Sequence, residues 1–193
     1  MILFNNLDKV FKNTSVLFVD SRIKKVQQIK HEDLVFFVNE HNKVASINVL
    51  NNTKYYIPED VKFGYLPQAG EDLIFAMAKE LNLEISHDQK FIYGLIQERK
   101  AHPKSERLFV LKVQIRPEKS IQLVTNTLDS QEGKIVVLAL PGSTTFVGTD
   151  VLSGEMLNIA SEGMLTGYKT LGLEGDGLIF GEISQIGKDF KLS

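Results

Sequence analysis

The sequence predicts two parts of different class, an α+β N-terminal domain over residues 1–86 and an all-β barrel over residues 91–181. Three observations predict this. Short apolar runs in the first half are punctuated by turn residues and then give way to one stretch of helical spacing. The second half continues as strand-length runs, five of which suit a small barrel. A polar segment, Glu84-Ile-Ser-His-Asp-Gln-Lys90, lies between the two and reads as a linker.

In the first half, Met1 to Asn5 alternates as a strand, and Ser15 to Val19 and Lys24 to Ile29 follow as a second and a third. His31-Glu32-Asp33 and His41-Asn42-Lys43 are turns around Leu34 to Val38 and before Val44 to Val49, an antiparallel hairpin pattern. Tyr55 to Ile57 reads as a short extended piece stopped by Pro58. From Glu71 the period changes: Leu73, Ala76–Met77 and Glu80–Leu81 recur at helical spacing, with an acidic pair near the start and Lys79 near the end. This predicts a helix over 71–82, packed on the preceding sheet.

In the second half, Phe91 to Gln97 is a strand with Gly94 inside it, where a bend or a close backbone approach is expected. Arg99 to Lys104 reads as a loop. Arg107 to Ile115 alternates cleanly; Pro117-Glu118-Lys119 then turns into Ile121 to Thr125, and Asp129 to Gly133 leads into Lys134 to Leu140. Residues 142–155 are rich in Gly, Ser and Thr and take an irregular path. Met156 to Ile159 is expected to pair briefly, Tyr168 to Leu171 to make one helical turn, Leu178 to Phe180 to close the sheet, and Ile183 to Leu192 to form a tail.

The composition is that of an ordinary globular chain: 193 residues, 43% hydrophobic and 24% charged. There is no Cys, so disulfides and thiolate metal sites are excluded. Apolar runs such as Ile135 to Leu140 are too short to span a bilayer, and the first residues lack a signal-peptide pattern, so no membrane partner and a cytoplasmic location are expected. Residues 1–83 hold ten acidic and ten basic side chains, and residues 84–193 hold fourteen and twelve, which sums to the net charge of -2. Strong affinity for a phosphate backbone therefore requires the positive charge to be gathered on one face.

No catalytic constellation emerges. His31, His41, His87 and His102 are scattered without metal-ligand spacing. Gly172-Leu-Glu-Gly-Asp-Gly177 lacks the ending of a phosphate loop and carries two repelling carboxylates. The expectation is a non-enzyme with no cofactor and no metal.

The ordered pieces of the second half are Tyr93-Gly94-Leu95-Ile96, His102-Pro103-Lys104-Ser105-Glu106-Arg107-Leu108, Ile121 to Asn126, Gly133 to Ala139, Ser161-Glu162-Gly163-Met164-Leu165 and Leu171-Gly172-Leu173. In order and spacing this segment resembles the tRNA-binding domain found in the EMAP-II and phenylalanyl-tRNA-synthetase β-chain family, and the whole chain is similar to bacterial proteins of the YtpR type. The resemblance implies an OB-fold (oligonucleotide-binding) barrel and tRNA or another structured RNA as partner. Against the family pattern, Asn158 stands where an Arg is usual and Thr149-Asp150 where Ile-Lys is usual; Thr125-Asn126-Thr127 replaces a Cys-Gly-Ala turn. These changes leave the barrel intact and weaken its positive surface. They keep open an alternative, a homodimer or a docking module for a translation-related protein that has lost RNA binding.

The candidate RNA-binding residues follow. Arg99, Lys100, Lys104 and Arg107 are the densest basic cluster of the second half, read either as a solvated face or as a phosphate-contacting patch that Lys112 and Lys169 extend. Phe109 and Phe146 are candidate stacking platforms, and core packing is an equal reading for Phe109. His102 either satisfies backbone groups beside Pro103 or contacts a base. Near Asn158, the stretch Ser161-Glu162-Gly163-Met164 reads as a cap at Ser161, a tight turn at Gly163 and a core position at Met164, a role compatible with lining a binding surface.

Overall fold

In the computed structural model, which describes residues 1–192, the chain forms two compact units. One comprises Met1–Asp88 and Gly142–Phe146 with Lys191 and Leu192; the other comprises Gln89–Pro141 and Val147–Phe190.

The first unit is built on a six-stranded antiparallel sheet. Its strands are β1 (Leu3–Asn6), β2 (Ser15–Phe18), β3 (Gln27–His31), β4 (Leu34–Val38), β5 (Val44–Val49) and β6 (Phe63–Tyr65), in the spatial order β3-β4-β5-β2-β1-β6. The two-residue period decides the faces: Leu34, Phe36 and Val38 are buried while Val35 and Phe37 are partly exposed. One helix, α1 (Gln68–Glu80), lays Ile74 and Ala78 into the core formed by Ile2, Phe4, Leu17, Leu34, Phe36 and Ile47. With one short helix beside six strands, the unit is mostly β rather than an even α+β mixture.

Four expectations for this half change. The helix starts three residues earlier than its acidic pair suggests, because Pro67 enters as the N-cap and its carbonyl already accepts from Gly70 and Glu71. Residues 55–57 are not extended. Asn51 caps a 3-10 turn over Asn52–Tyr55 by accepting from the Lys54 amide, and Tyr56 follows at a φ of 56°. β6 has no counterpart in the expected strands, since a three-residue strand with Gly in its centre carries almost no periodic signal. The segment read as a linker is held: Ile85 is buried, His87 stacks on Phe75 with ring centroids 4.4 Å apart, and Asp88 pairs with Arg22.

The second unit is a curled five-stranded sheet. Its strands are β7 (Phe91–His102), β8 (Ser105–Arg116), β9 (Lys119–Thr125) and β10 (Ile135–Ala139). A separate hairpin, β11 (Ser153–Met156) and β12 (Ile159–Glu162), precedes β13 (Met164–Leu165), and the sheet order is β13-β10-β7-β8-β9. Ile92, Ile96, Leu111, Val113, Ile121, Leu123, Val136 and Leu138 fill its concave side. Gly94 sits where this sheet is tightly packed. A Cβ there would lie 2.6 Å from Leu138 Cδ2 and 2.7 Å from Val113 Cγ1, so the expected close approach is a side-chain one.

The expected closed barrel is a half-barrel, because its ladder of backbone hydrogen bonds stops short of closure. β9 and β13 are its two outer strands, and β13 is only two residues long. The run expected to close the sheet makes single bridges instead, Gly167 with Leu178 and Val136 with Phe180. The expected tail is not loose: Gly187 and Phe190 donate to the Tyr93 and Phe91 carbonyls, and the Phe190 ring meets Tyr93 edge-on at 5.7 Å. No helix among the described residues is long and apolar enough to cross a membrane.

Candidate nucleic-acid interface

The basic cluster lies on a hairpin rather than in a loop. β7 and β8 run on past the expected strand ends until His102 pairs with Ser105 across a two-residue turn, Pro103-Lys104. Strong β pairing at Lys100–Val110 and Ala101–Phe109 overrides the charged, weakly patterned sequence of this stretch. Register then sorts the cations. Directly opposed residues of an antiparallel pair share a face, so Arg99, opposite the buried Leu111, faces with the core side chains, while Lys100 and Lys112 turn to the other face.

Each predicted residue has a definite setting. Lys100 and Lys112 share one carboxylate, Glu98, at 2.6 and 3.7 Å. The hydrogen bond from Lys100 holds the Glu98 carboxyl below its ordinary range and raises the Lys100 ammonium above its own. Lys169 makes a 2.6 Å ion pair with Asp176, with the same two directions of shift. Lys104 and Arg107 are exposed at the hairpin end, and among the described residues neither has an ion-pair partner. Arg99 lies over the Phe109 ring, its Cζ 3.5 Å from the centroid. Phe146 falls in the first unit, edge-on to Phe63 at 6.0 Å.

His102 is buried and holds two hairpins together. Its Nδ1 accepts from the Lys104 amide at 3.1 Å, which leaves Nε2 to carry the proton and donate to the Met156 carbonyl, also at 3.1 Å. The β7–β8 turn is thereby fastened to the end of β11. Asn158 is at the tip of that second hairpin, where Leu157 and Asn158 both take positive φ, 47° and 69°. Asn tolerates this conformation better than the longer polar residues do, a local reason for Asn at the position.

The Ser161-Glu162-Gly163 stretch completes the half-barrel with side chains. Along the outer edge of β9, the Val124 amide donates to Ser161 Oγ at 3.1 Å and the Gln122 amide to Glu162 Oε2 at 3.1 Å. The Gln122 side chain donates to the Ala160 carbonyl at 2.8 Å, and the Ser161 hydroxyl donates onward to the Gly163 carbonyl at 3.2 Å. Gly163, at a φ of 124°, passes so close to Ala139 that a Cβ would lie 2.4 Å from its carbonyl oxygen. Met164 is only partly buried, correcting its reading as a core residue. With Leu108, Val124, Met156 and Leu178 it lines an apolar groove of about 480 Å³, rimmed by Asn126 and Lys169.

Residues that the sequence did not offer as site residues include Glu98, Gln122 and Glu162, whose roles depend on cross-strand register, and Met156, whose carbonyl rather than side chain makes the contact. No group of three or more His, Asp or Glu among the described residues could hold a metal ion.

Residues 91–186 match the family model described as "Putative tRNA binding domain". Along most of its length the chain is similar to the "Putative tRNA-binding protein YtpR" of Bacillus subtilis, 25% identical over 179 residues, 90% of this chain and 88% of that one. It is also similar to phenylalanine–tRNA ligase β subunits. For Clostridium acetobutylicum the identity is 28% over 145 residues, 72% of this chain; for Thermotoga maritima it is 36% over 85 residues, 44% of this chain. The matched segments span only 18% and 11% of those subunits.

Proposed function

We propose that this chain, whose residues 91–186 belong to the tRNA-binding domain family, is a non-catalytic tRNA-binding protein that meets its ligand at the β7–β8 hairpin end of the half-barrel. The observation that carries the reading is the family match over the whole of the curled sheet, joined to the similarity along both units with a relative named as a tRNA-binding protein.

The chemistry at the hairpin end suits docking on a phosphate backbone. Lys104, in the turn just after the buried histidine that fixes the hairpin, and Arg107, at the start of β8, present charge that makes no ion pair among the described residues. Lys100, Lys112 and Lys169 add less, because each already faces a carboxylate at the surface. Structured RNA is met through its shape and backbone. A binding surface with few uncompensated cations predicts modest affinity and a shallow salt slope, since the slope grows with each phosphate contacted.

The test is binding of the purified full chain to unfractionated and individual tRNAs across a salt series. Micromolar binding with a negative slope of log K against log salt is expected. Replacing Lys104 and Arg107 by Ala should lower affinity and flatten that slope by about two contacts' worth, near 0.9 per phosphate for a duplex. Absence of wild-type binding at low salt refutes the proposal.

A further inference from the structure

We propose that Arg99 and Phe109 together form a platform on which an unpaired nucleobase of the bound RNA stacks; this rests on the tRNA-binding reading above. Arg99 differs in kind from the other cations of the hairpin. Its pairing opposite Leu111 puts it on the core-facing side of the sheet, and Ala101 opposite Phe109 brings the ring beneath it. The guanidinium carbon is 3.5 Å from the ring centroid, the separation of two planes in contact. Phe109 is itself packed against the core cluster, which anchors the ring that the guanidinium covers.

An arginine serving only as a phosphate contact would keep its head solvated at the end of its stem, as exposed Arg107 does. Arg99 is half-buried, makes no ion pair among the described residues, and has its Nε buried without a hydrogen-bond partner. It is held by the ring instead of by an anion. Its backbone amide is fixed in turn by Glu132 Oε1 at 2.7 Å. A flat, partly desolvated, positively charged surface at the edge of a positive hairpin suits the face of a base, and Arg guanidinium planes are among the groups on which splayed-out bases stack. A duplex hides its base faces, so the ligand class is an unpaired nucleotide, as in an RNA loop.

The experiment separates plane from charge. Arg99→Lys keeps the charge and loses the plane; Arg99→Met loses both and keeps the apolar contact with Phe109. The probe is an RNA of about ten nucleotides, within the site size of one barrel of this kind, carrying one 2-aminopurine, used single-stranded and annealed to its complement, beside unfractionated tRNA. The wild-type chain should quench the single-stranded probe's fluorescence and leave the duplex unchanged. Arg99→Lys should weaken single-strand binding about tenfold with an unchanged salt slope, as expected for one lost stack and no lost charge. Arg99→Lys binding at wild-type strength while Arg99→Met alone is weaker and flatter in salt would make Arg99 a phosphate contact and overturn the platform. If wild-type protein binds tRNA and only this difference fails, the tRNA-binding reading stands; if wild-type protein binds no tRNA, that reading falls and the platform with it.

Discussion

Ser161→Ala isolates the hydroxyl that joins β12 to β9. The substitution removes one acceptor, the partner of the Val124 amide at 3.1 Å, and one donor, to the Gly163 carbonyl at 3.2 Å. Val124 is 7% exposed, so water does not readily replace the lost acceptor. A buried amide left without a partner costs about 1–3 kcal/mol. Because two compact units can unfold separately, a single denaturation midpoint is a poor readout, and amide hydrogen exchange resolved by residue is the better assay. At about 1.4 kcal/mol per factor of ten, the Val124 amide should exchange about ten- to a hundredfold faster in the variant, with Gln122 following because its neighbour along the same edge has opened. Amides of β1 to β5 should not change. Ser161→Thr keeps the hydroxyl and should retain most of the protection. Val124 exchange within about twofold of wild type in Ser161→Ala would refute side-chain closure, since that corresponds to less than about 0.5 kcal/mol.

Gly163→Ala places a methyl 2.4 Å from the Ala139 carbonyl oxygen at a φ of 124°, so a loss of at least about 1–3 kcal/mol is expected; residue-resolved amide exchange in β10 and β13 measures it, and protection equal to wild type would contradict the geometry. Glu98→Gln frees both Lys100 and Lys112 and should strengthen tRNA binding and steepen its salt slope, read in the same titration as the wild type. The Glu98 carboxyl, held below the usual 4.5 by Lys100, stays ionised to lower pH; whatever it contributes to folding is present above 4.5 and disappears only as pH falls through the depressed value. An NMR titration placing its midpoint at or above 4.5 would count against the pair.

The parts of the fold that follow from local rules were legible in the sequence. Arg107 to Ile115 alternates, Leu34 to Val38 and Val44 to Val49 are apolar runs set off by turn residues, and each lies in a strand. Gly94 announced its close approach because a strand interior has little other use for glycine. What escaped depends on partners distant in the chain. Arg99 to His102 reads as a charged loop until β8 is available to pair with it. Ser161 and Glu162 look like turn residues until β9 supplies two amides without strand partners. The candidate site shows the same limit. Composition located the basic cluster, but only register could say that Lys100 and Lys112 converge on Glu98 and that Arg99 leaves them for Phe109.

The five residues Gly142–Phe146 carry a consequence for dissecting the molecule. They lie inside the stretch matched by the family, yet they belong to the unit built from the first 88 residues, where the Asn5 side chain donates to the Phe146 carbonyl at 3.1 Å and the Ser21 hydroxyl to the Ser143 carbonyl at 3.0 Å. Severing the chain once, near residue 89, therefore does not yield two whole modules: a fragment ending there is deprived of a piece of its own interior that is encoded more than fifty residues downstream. Recombination that transplants either half as a contiguous block meets the same obstacle. The two modules are interleaved in the gene order, and a swap that respects them needs two junctions on each side of that short excursion.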